Sequence, residues 1–360
     1  MIKLNINLGD RGYPIYITSD YDSLGKCFKT AGISGSAVIV TDTNVARCQL
    51  EECRKGLEQT GCDISEYIIE AGEKSKNLDT VKDIYGFLAG RKFERKSTVI
   101  AFGGGVVGDI AGFAAATFLR GINFVQIPTS LLAQADSSVG GKVGVDFQGG
   151  KNIIGSFYQP RLVYINVNSL VTLPKRELRS GLAEVVKHGV IRDADYFEFI
   201  SGNIEKIFGF NTDTLMYLAR VNCTIKGGIV EQDEKEVSGQ RAVLNFGHTI
   251  GHAVESASGF ELLHGECVSI GMMGAFIMAR NLGMIDDTPL KKVRGTLESI
   301  GLPVGIKDLD VAKIYDLMLY DKKVRNGRLN FILPKEIGEV FQVTVDDENL
   351  VKKVLEELAG

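Results

Sequence analysis

The chain has 360 residues, 44% of them hydrophobic and 24% charged, and a formal net charge of -4. That balance is ordinary for a globular protein and gives no basic face of the kind that holds nucleic acid. The opening stretch MIKLNINLGDRGYPIYIT alternates like a strand and lacks an apolar secretory core, and the most apolar later run, Ile270 to Ala279, is far too short to span a membrane. Six cysteines, at 27, 48, 53, 62, 223 and 267, form no C-x-x-C pair and no metal-type spacing. They read as reduced packing residues of a cytoplasmic protein, with a disulfide the weaker reading.

Short apolar runs alternate with helical patterns through the first half. Strands are expected at Ile2–Leu8, Tyr13–Thr18, Ser36–Thr41, Ser65–Glu70, Thr98–Phe102, Asn123–Ile127 and Leu162–Asn166. Helices are expected between them, at Asn44–Thr60, Asn77–Arg91 and Val106–Phe118. Such alternation implies a parallel sheet covered by helices. After Pro174 the pattern becomes helical, over Lys175–Ile191, Asp213–Glu236, Arg241–Ser258, Gly265–Leu282, Thr288–Ile300 and Val311–Tyr320. A late pair of strands is expected at Leu329–Leu333 and Val340–Val343. The length allows two domains, each with its own core. The expected organisation is an α/β domain with a Rossmann-like parallel sheet at 1–174 and a mostly helical domain at 175–360, packed around a shared cleft that holds the active site.

Thr98 to Asp109 reads as a buried strand, a glycine turn and a helix start, with Gly103, Gly105 and Gly108 spaced G-x-G-x-x-G. Backbone without Cβ can approach a pyrophosphate closely, and a helix N-terminus offers free N–H groups. The acidic residue usual about 20 positions further on is missing, since that region reads NFVQIP; Asp42 and Asn44, after an earlier strand, are alternative ribose partners. A glycine turn that only packs helix on strand remains the plainer reading.

The chain has only four histidines, at 188, 248, 252 and 264. His188 reads as an ordinary core or surface histidine. In GHTIGHA, His248 and His252 are spaced i, i+4 and share a helix face, and His264 follows after a short break. Imidazoles with one carboxylate make an open three-ligand site of the catalytic zinc type. Glu184 in SGLAEVVKHG is a candidate carboxylate. A hydrogen-bonded helix face is the alternative, and periodicity does not say which residues ligate.

Residues 134 to 160, QADSSVGGKVGVDFQGGKNIIGSFYQP, read as a glycine-rich loop between the domains, carrying Asp136, Lys142, Lys151 and Asn152. Glycine-rich backbone beside lysine suits phosphate. Lys187, Lys226, Arg241 and the pair Lys322–Lys323 add cations fit for a substrate bearing both phosphate and carboxylate.

The stretches DTNV (42–45), GEKSK (72–76), GGGVVGDIAGFAAATFLRG (103–121), PTSLLAQADSSVGGK (128–142), GKNIIGSFYQP (150–160), LPKRELRSGLAEVVKHG (173–189), LNFGHTIGHAVE (244–255), LLHGE (262–266) and DKK (321–323) closely resemble the 3-dehydroquinate synthases. The resemblance implies a lyase of the shikimate route to chorismate and the aromatic amino acids. It would use bound NAD and one Zn2+ or Co2+ to oxidise a heptulosonate phosphate, eliminate phosphate, return the hydride and close the ring by an aldol step. Carried over position by position, it implies Glu184, His248 and His264 as metal ligands and His252 as a catalytic histidine near the phosphate. Lys142, Asn152, Asn245 and one of Lys322 or Lys323 would contact phosphate. Arg120 would reach a neighbouring subunit's phosphate site, implying a homodimer. Lys226 and Arg241 would grip the carboxylate, and Asp136 and Lys187 the ring hydroxyls. Asp42, Asn44, Glu73, Lys76, Gly104, Gly105, Val106, Asp109, Thr129, Ser130, Lys151, Thr172 and Leu173 would contact NAD.

DEKEVSGQR (233–241) carries one residue more before Arg241 than the family's usual D-E-x-E-x-G-x-R, and Ser130 and Val143 stand where threonine is common. Three rival functions stand beside this one, of which a catalytically idle nucleotide-binding or scaffold protein is opposed by intact Glu184, Lys187, His248, His252 and His264. Another sugar phosphate cyclase, such as a 2-deoxy-scyllo-inosose synthase, would give Arg241 and Lys226 no carboxylate. A metal-dependent polyol dehydrogenase would release NADH stoichiometrically.

Overall fold

A computed structural model describes residues 1–148, 150–307, 309–320 and 329–360. The chain divides into two compact units, Met1–Leu173 with Phe210–Lys235, and Pro174–Gly209 with Glu236–Gly360.

In the first unit, β1 (Ile2–Ile6) pairs antiparallel with β2 (Tyr13–Thr18). The chain continues through α1 (Leu24–Thr30), β3 (Ser36–Asp42), α2 (Thr43–Glu58), β4 (Asp63–Ile69) and α3 (Leu78–Gly90). Next come β5 (Thr98–Gly103), α4 (Gly105–Thr117), β6 (Asn123–Pro128), β7 (Lys142–Phe147), β8 (Gly150–Phe157) and β9 (Leu162–Asn166). Seven strands form one sheet in the order β1-β2-β9-β6-β5-β3-β4, parallel except at β1. The expected strands are all present. Val38, Val40, Val99 and Ala101 face one helical layer with α3 and α4, while Ile39, Ile100, Val125 and Tyr164 face the other. Alternate residues of one strand thus feed two cores, as a doubly covered parallel sheet requires.

The stretch expected as an interdomain loop, 134–160, lies wholly in this unit and contains the antiparallel pair β7–β8. Gly144 and Gly155 face each other across that pair, and a Cβ on either would meet the opposite strand's backbone at 2.6 or 2.4 Å. Its glycines serve close strand approach, so composition alone read it as loop.

The second unit opens with α5 (Lys175–Arg192), α6 (Ala194–Gly202) and α7 (Ile204–Phe208). Helix α8 (Thr212–Gln232) then returns to the first unit, where it packs on β1 and β2. The sequence pattern groups α8 with the helical half, but its partners in the first unit include Asn7, whose backbone N–H donates to Glu231 at 2.6 Å. The second unit resumes with α9 (His248–Ala257), α10 (His264–Asn281), α11 (Asp287–Ile300), α12 (Val311–Tyr320), the hairpin β10 (Leu329–Glu336) and β11 (Glu339–Val345), and α13 (Glu348–Ala359).

Helix α10 is its axis, with every residue from Cys267 to Ala279 buried. Full burial of a side chain such as Phe276 or Ile277 stabilises by about 1.5–3 kcal/mol. The continuous helix expected over Arg241–Ser258 is instead a 3-10 turn at Gln240–Asn245, a break at Phe246–Gly247, and then α9. Gly247 turns the chain at φ +77°, and a Cβ there would lie 2.9 Å from Val268 O and from Met272 N of α10. The same tightness recurs at Gly271, whose Cβ would fall 1.8 Å from Gly247 O, so only hydrogen fits where α9 crosses α10.

Candidate functional site

Helix crossings set the geometry of the second unit's site. Gly265, in the first turn of α10, lies so close to α5 that a Cβ would meet Ser180 O at 1.9 Å, and its N–H donates to Ser180 Oγ at 3.0 Å. Glu184 stands one turn beyond Ser180 on α5, facing the start of α10. His264 is the first residue of α10 and His248 the first of α9. Ligating atoms of Glu184, His248 and His264 all lie within 4.8 Å of one another. His264 Nε2 is 3.4 Å and His248 Nε2 3.7 Å from Glu184 Oε1.

Protonation follows from the neighbours. His248 Nδ1 is 3.0 Å from Phe246 O, which assigns the proton to Nδ1 and leaves the Nε2 lone pair toward Glu184. Burial, reinforced by the Lys187 charge, holds the His248 pKa well below its ordinary value, so the ring is neutral, the form that ligates. Burial also works against a charge on His264, but the neighbouring carboxylates of Glu184 and Glu255 outweigh it and lift its pKa to about 9. Carboxylates that attract a proton there favour a cation equally. Two imidazoles and one carboxylate drawn from separate helices fit a divalent metal such as zinc or cobalt, with room left in the coordination sphere.

Around this cluster, Lys187 pairs with the other oxygen of Glu184 and donates to Leu244 O at 2.9 Å. The His252 ring centroid lies 5.2 Å from that of His248. Arg241 is 2% exposed, with Nε 3.4 Å from Glu236 Oε1. Asn245 ends the 3-10 turn before His248. His188 is fully buried on α5. Lys322 and Lys323 lie outside the described residues.

In the first unit the expected nucleotide residues gather at the carboxyl ends of the parallel strands. Asp42 ends β3 and caps α2, accepting from the N–H groups of Asn44 (2.9 Å) and Val45 (3.0 Å). Gly104 caps α4 without any side-chain acceptor, so that first turn presents backbone N–H groups. β3 and β5 are neighbours from which the chain departs in opposite directions along the sheet, the position where doubly wound folds place a nucleotide. Lys76, in the turn after β4, is buried and bonds Asp109 of α4 at 2.7 Å, with Glu73 Oε1 at 3.9 Å. Lys151 Nζ lies 3.9 Å from the same Glu73 oxygen. Burial pushes the Asp109 carboxyl up, opposed by Lys76, while burial of Lys76 is outweighed by the fields of Asp109 and Glu73.

Thr129 and Ser130 follow β6, where Ser130 Oγ accepts from Ala133 N at 3.3 Å. Thr172 Oγ1 accepts from Gln49 at 2.6 Å, next to Leu173 at the unit's edge. Lys226 of α8 bonds Asp136 through both its carboxylate (2.8 Å) and its carbonyl (2.6 Å). Lys142 begins β7, Asn152 sits in β8 at φ +53°, and Arg120 occupies an exposed turn after α4 at φ +66°. All six cysteines are free thiols. Among the described residues no helix is long and apolar enough to cross a membrane.

One residue of this neighbourhood was not expected. Glu255 is 4% exposed, with Oε2 3.8 Å from His264 Nδ1. Its signal in the sequence is the spacing H-x3-H-x2-E, which sets 248, 252 and 255 along one face of α9.

The doubly covered sheet and the helical unit that carries the histidine–carboxylate cluster match the sugar phosphate cyclases in fold. The structure aligns with 2-deoxy-scyllo-inosose synthase complexed with carbaglucose-6-phosphate, NAD+ and Co2+ at a TM-score of 0.89 and 24% identity, covering 99% of this chain and 100% of that one. It aligns with 2-epi-5-epi-valiolone synthase from Streptomyces hygroscopicus subsp. jinggangensis, with NAD+ and Zn2+ bound, at a TM-score of 0.88 and 27% identity, covering 96% of each. In sequence, residues 66–180 match the N-terminal and 181–324 the C-terminal family of 3-dehydroquinate synthase. A 3-dehydroquinate synthase from Acetivibrio thermocellus is 60% identical over 359 residues, 99% of each chain. This chain belongs to the 3-dehydroquinate synthase family.

Proposed function

We propose that the chain converts 3-deoxy-D-arabino-heptulosonate 7-phosphate into 3-dehydroquinate and inorganic phosphate, with NAD used catalytically and one Zn2+ or Co2+. The observation that carries this reading is the convergence of Glu184, His248 and His264 within 4.8 Å, in a chain of this family. When bound, the cation supplies Lewis acidity toward the hydroxyl being oxidised and NAD supplies the hydride acceptor.

The chain's own residues do the rest. The first turn of α4, from Gly104, Gly105 and Val106, offers N–H groups to the pyrophosphate. Asp42, Asn44, Glu73, Lys76, Asp109, Thr129, Ser130, Lys151, Thr172 and Leu173 orient the dinucleotide. Lys142, Asn152, Asn245 and one of Lys322 or Lys323 hold the substrate phosphate, and His252 moves a proton beside it. Arg120 completes the phosphate site of a second copy in a homodimer. Lys226 and Arg241 grip the carboxylate, where a guanidinium can form two parallel hydrogen bonds. Asp136 and Lys187 orient the ring hydroxyls.

The test is a phosphate-release assay on purified protein with substoichiometric NAD. The expected result is one phosphate per heptulosonate phosphate, abolished by chelator and restored by Zn2+ or Co2+. NADH accumulating in step with product would establish a polyol dehydrogenase instead. Turnover of only uncarboxylated sugar phosphates would establish a different cyclase.

A further inference from the structure

Each nitrogen of the His264 ring faces a different carboxylate. Nε2 looks toward Glu184 Oε1 at 3.4 Å, and Nδ1 toward Glu255 Oε2 at 3.8 Å. The two nitrogens point in divergent directions, so a carboxylate on the Nδ1 side cannot join the sphere of an ion held through Nε2. Glu255 is 4% exposed, and a carboxylate is seldom buried this far without a partner cation or proton donor.

The surrounding backbone fixes both ends of this contact. The carbonyl of Glu255 accepts from Phe260 N (3.1 Å) and Ser258 Oγ (2.8 Å), which folds the turn leading out of α9. At the other end Glu266 accepts from Leu263 N (2.8 Å) and takes a fork from Arg176, with 2.8 and 2.7 Å contacts. Gly265 is pressed onto Ser180. The Cα of His264 is thereby set, and what remains free is the rotation of its ring.

We infer that Glu255 is a positioning residue for the metal centre: from 3.8 Å, just outside hydrogen-bond reach, a small side-chain rotation lets its carboxylate accept the Nδ1 proton of His264, fixing the ring and its tautomer so that Nε2 is presented to a divalent cation. Ligating histidines commonly donate their second N–H to such an acceptor, which orients the ring and raises its donor strength. The inference rests on His264 being a ligand, as proposed above, and assigns nothing to Glu255 beyond that ring.

The experiment measures Zn2+ affinity of the full-length protein by competition with a chromophoric chelator, in the parent, Glu255→Gln, Glu255→Ala and His264→Ala. Removal of an acceptor of this kind weakens metal binding by roughly 10–100-fold. The near-isosteric Glu255→Gln is expected at the lower end and Glu255→Ala at the upper. The Co2+ d–d absorption of Glu255→Gln should shift, and the melting temperature of its metal-free form should match the parent. Affinities within twofold of the parent in both Glu255 variants, with His264→Ala weakened, overturn this inference and leave the ligand reading intact. Undiminished binding by His264→Ala overturns both. Weaker binding with a lowered metal-free melting temperature and an unshifted Co2+ spectrum makes Glu255 a packing residue and overturns the inference too.

Discussion

In the first unit the candidate nucleotide residues ride on turns that follow strands, as Asp42 follows β3, Glu73 and Lys76 follow β4, Gly104 follows β5 and Thr129 follows β6. In the second unit Glu184, His248 and His264 belong to helices, and their meeting depends on how closely those helices cross at Gly265, Gly247 and Gly271. A strand-end site tolerates small shifts, because each turn is tied to the sheet's hydrogen-bonded register. A helix-crossing site has no such ladder, and contact distance alone sets it. The two should therefore respond differently to the same scale of change.

Gly265→Ala should do the most damage. Its Cβ would meet Ser180 O, a backbone atom that cannot swing away, so α10 must move off α5. Overpacking of this kind costs about 1–3 kcal/mol. A lower melting temperature and Zn2+ affinity reduced at least tenfold, with NAD binding retained, are expected. An unchanged melting temperature would remove helix contact as the device that builds the site.

Asp109→Asn is the counterpart in the first unit. It leaves the Lys76 ammonium without its 2.7 Å carboxylate partner, and a charge-assisted bond of this type is worth about 1.5–3 kcal/mol. Because Asp109 keeps 18% of its side-chain exposure, the loss belongs at the lower end. NAD affinity should fall while Zn2+ affinity holds; calorimetric titration of each ligand distinguishes them. Equal weakening of both would mean that the two sites are not independent.

Arg11→Ala should have the smallest effect, since its 2.7 Å bond to Glu234 joins an arginine that is 61% exposed. The pH dependence has a definite sign. The Arg11 hydrogen bond, working against burial, holds the Glu234 carboxyl below its ordinary value of 4.5. Its contribution is present above the unfolded pKa and is lost as pH falls through the lower folded one. Melting curves of parent and variant should differ slightly near neutrality and merge in acid. A difference that grows on acidification would reverse the assignment.

The same contrast explains what the sequence disclosed. Strands such as Tyr13–Thr18 and Leu162–Asn166 were legible to the residue, because buried parallel strands read as short apolar runs between turn residues. The histidine cluster was legible from spacing and family resemblance. Hidden were features set by contact with distant chain: β7–β8, whose glycines imitate a loop, the break at Gly247, where helical periodicity runs on through a turn, and the membership of α8. The role of Glu255 is hidden for a related reason. Its position on the His248 face is visible in sequence, but its partner His264 lies beyond the turn after α9.

X-ray absorption at the zinc edge of the metal-loaded protein tests the central assignment most directly. Two imidazoles and a carboxylate predict a shell of nitrogen and oxygen at about 2.0–2.2 Å with imidazole outer-shell scattering, reduced by one imidazole in His264→Ala. Sulfur scattering at about 2.3 Å, or a spectrum unchanged by that substitution, would contradict it.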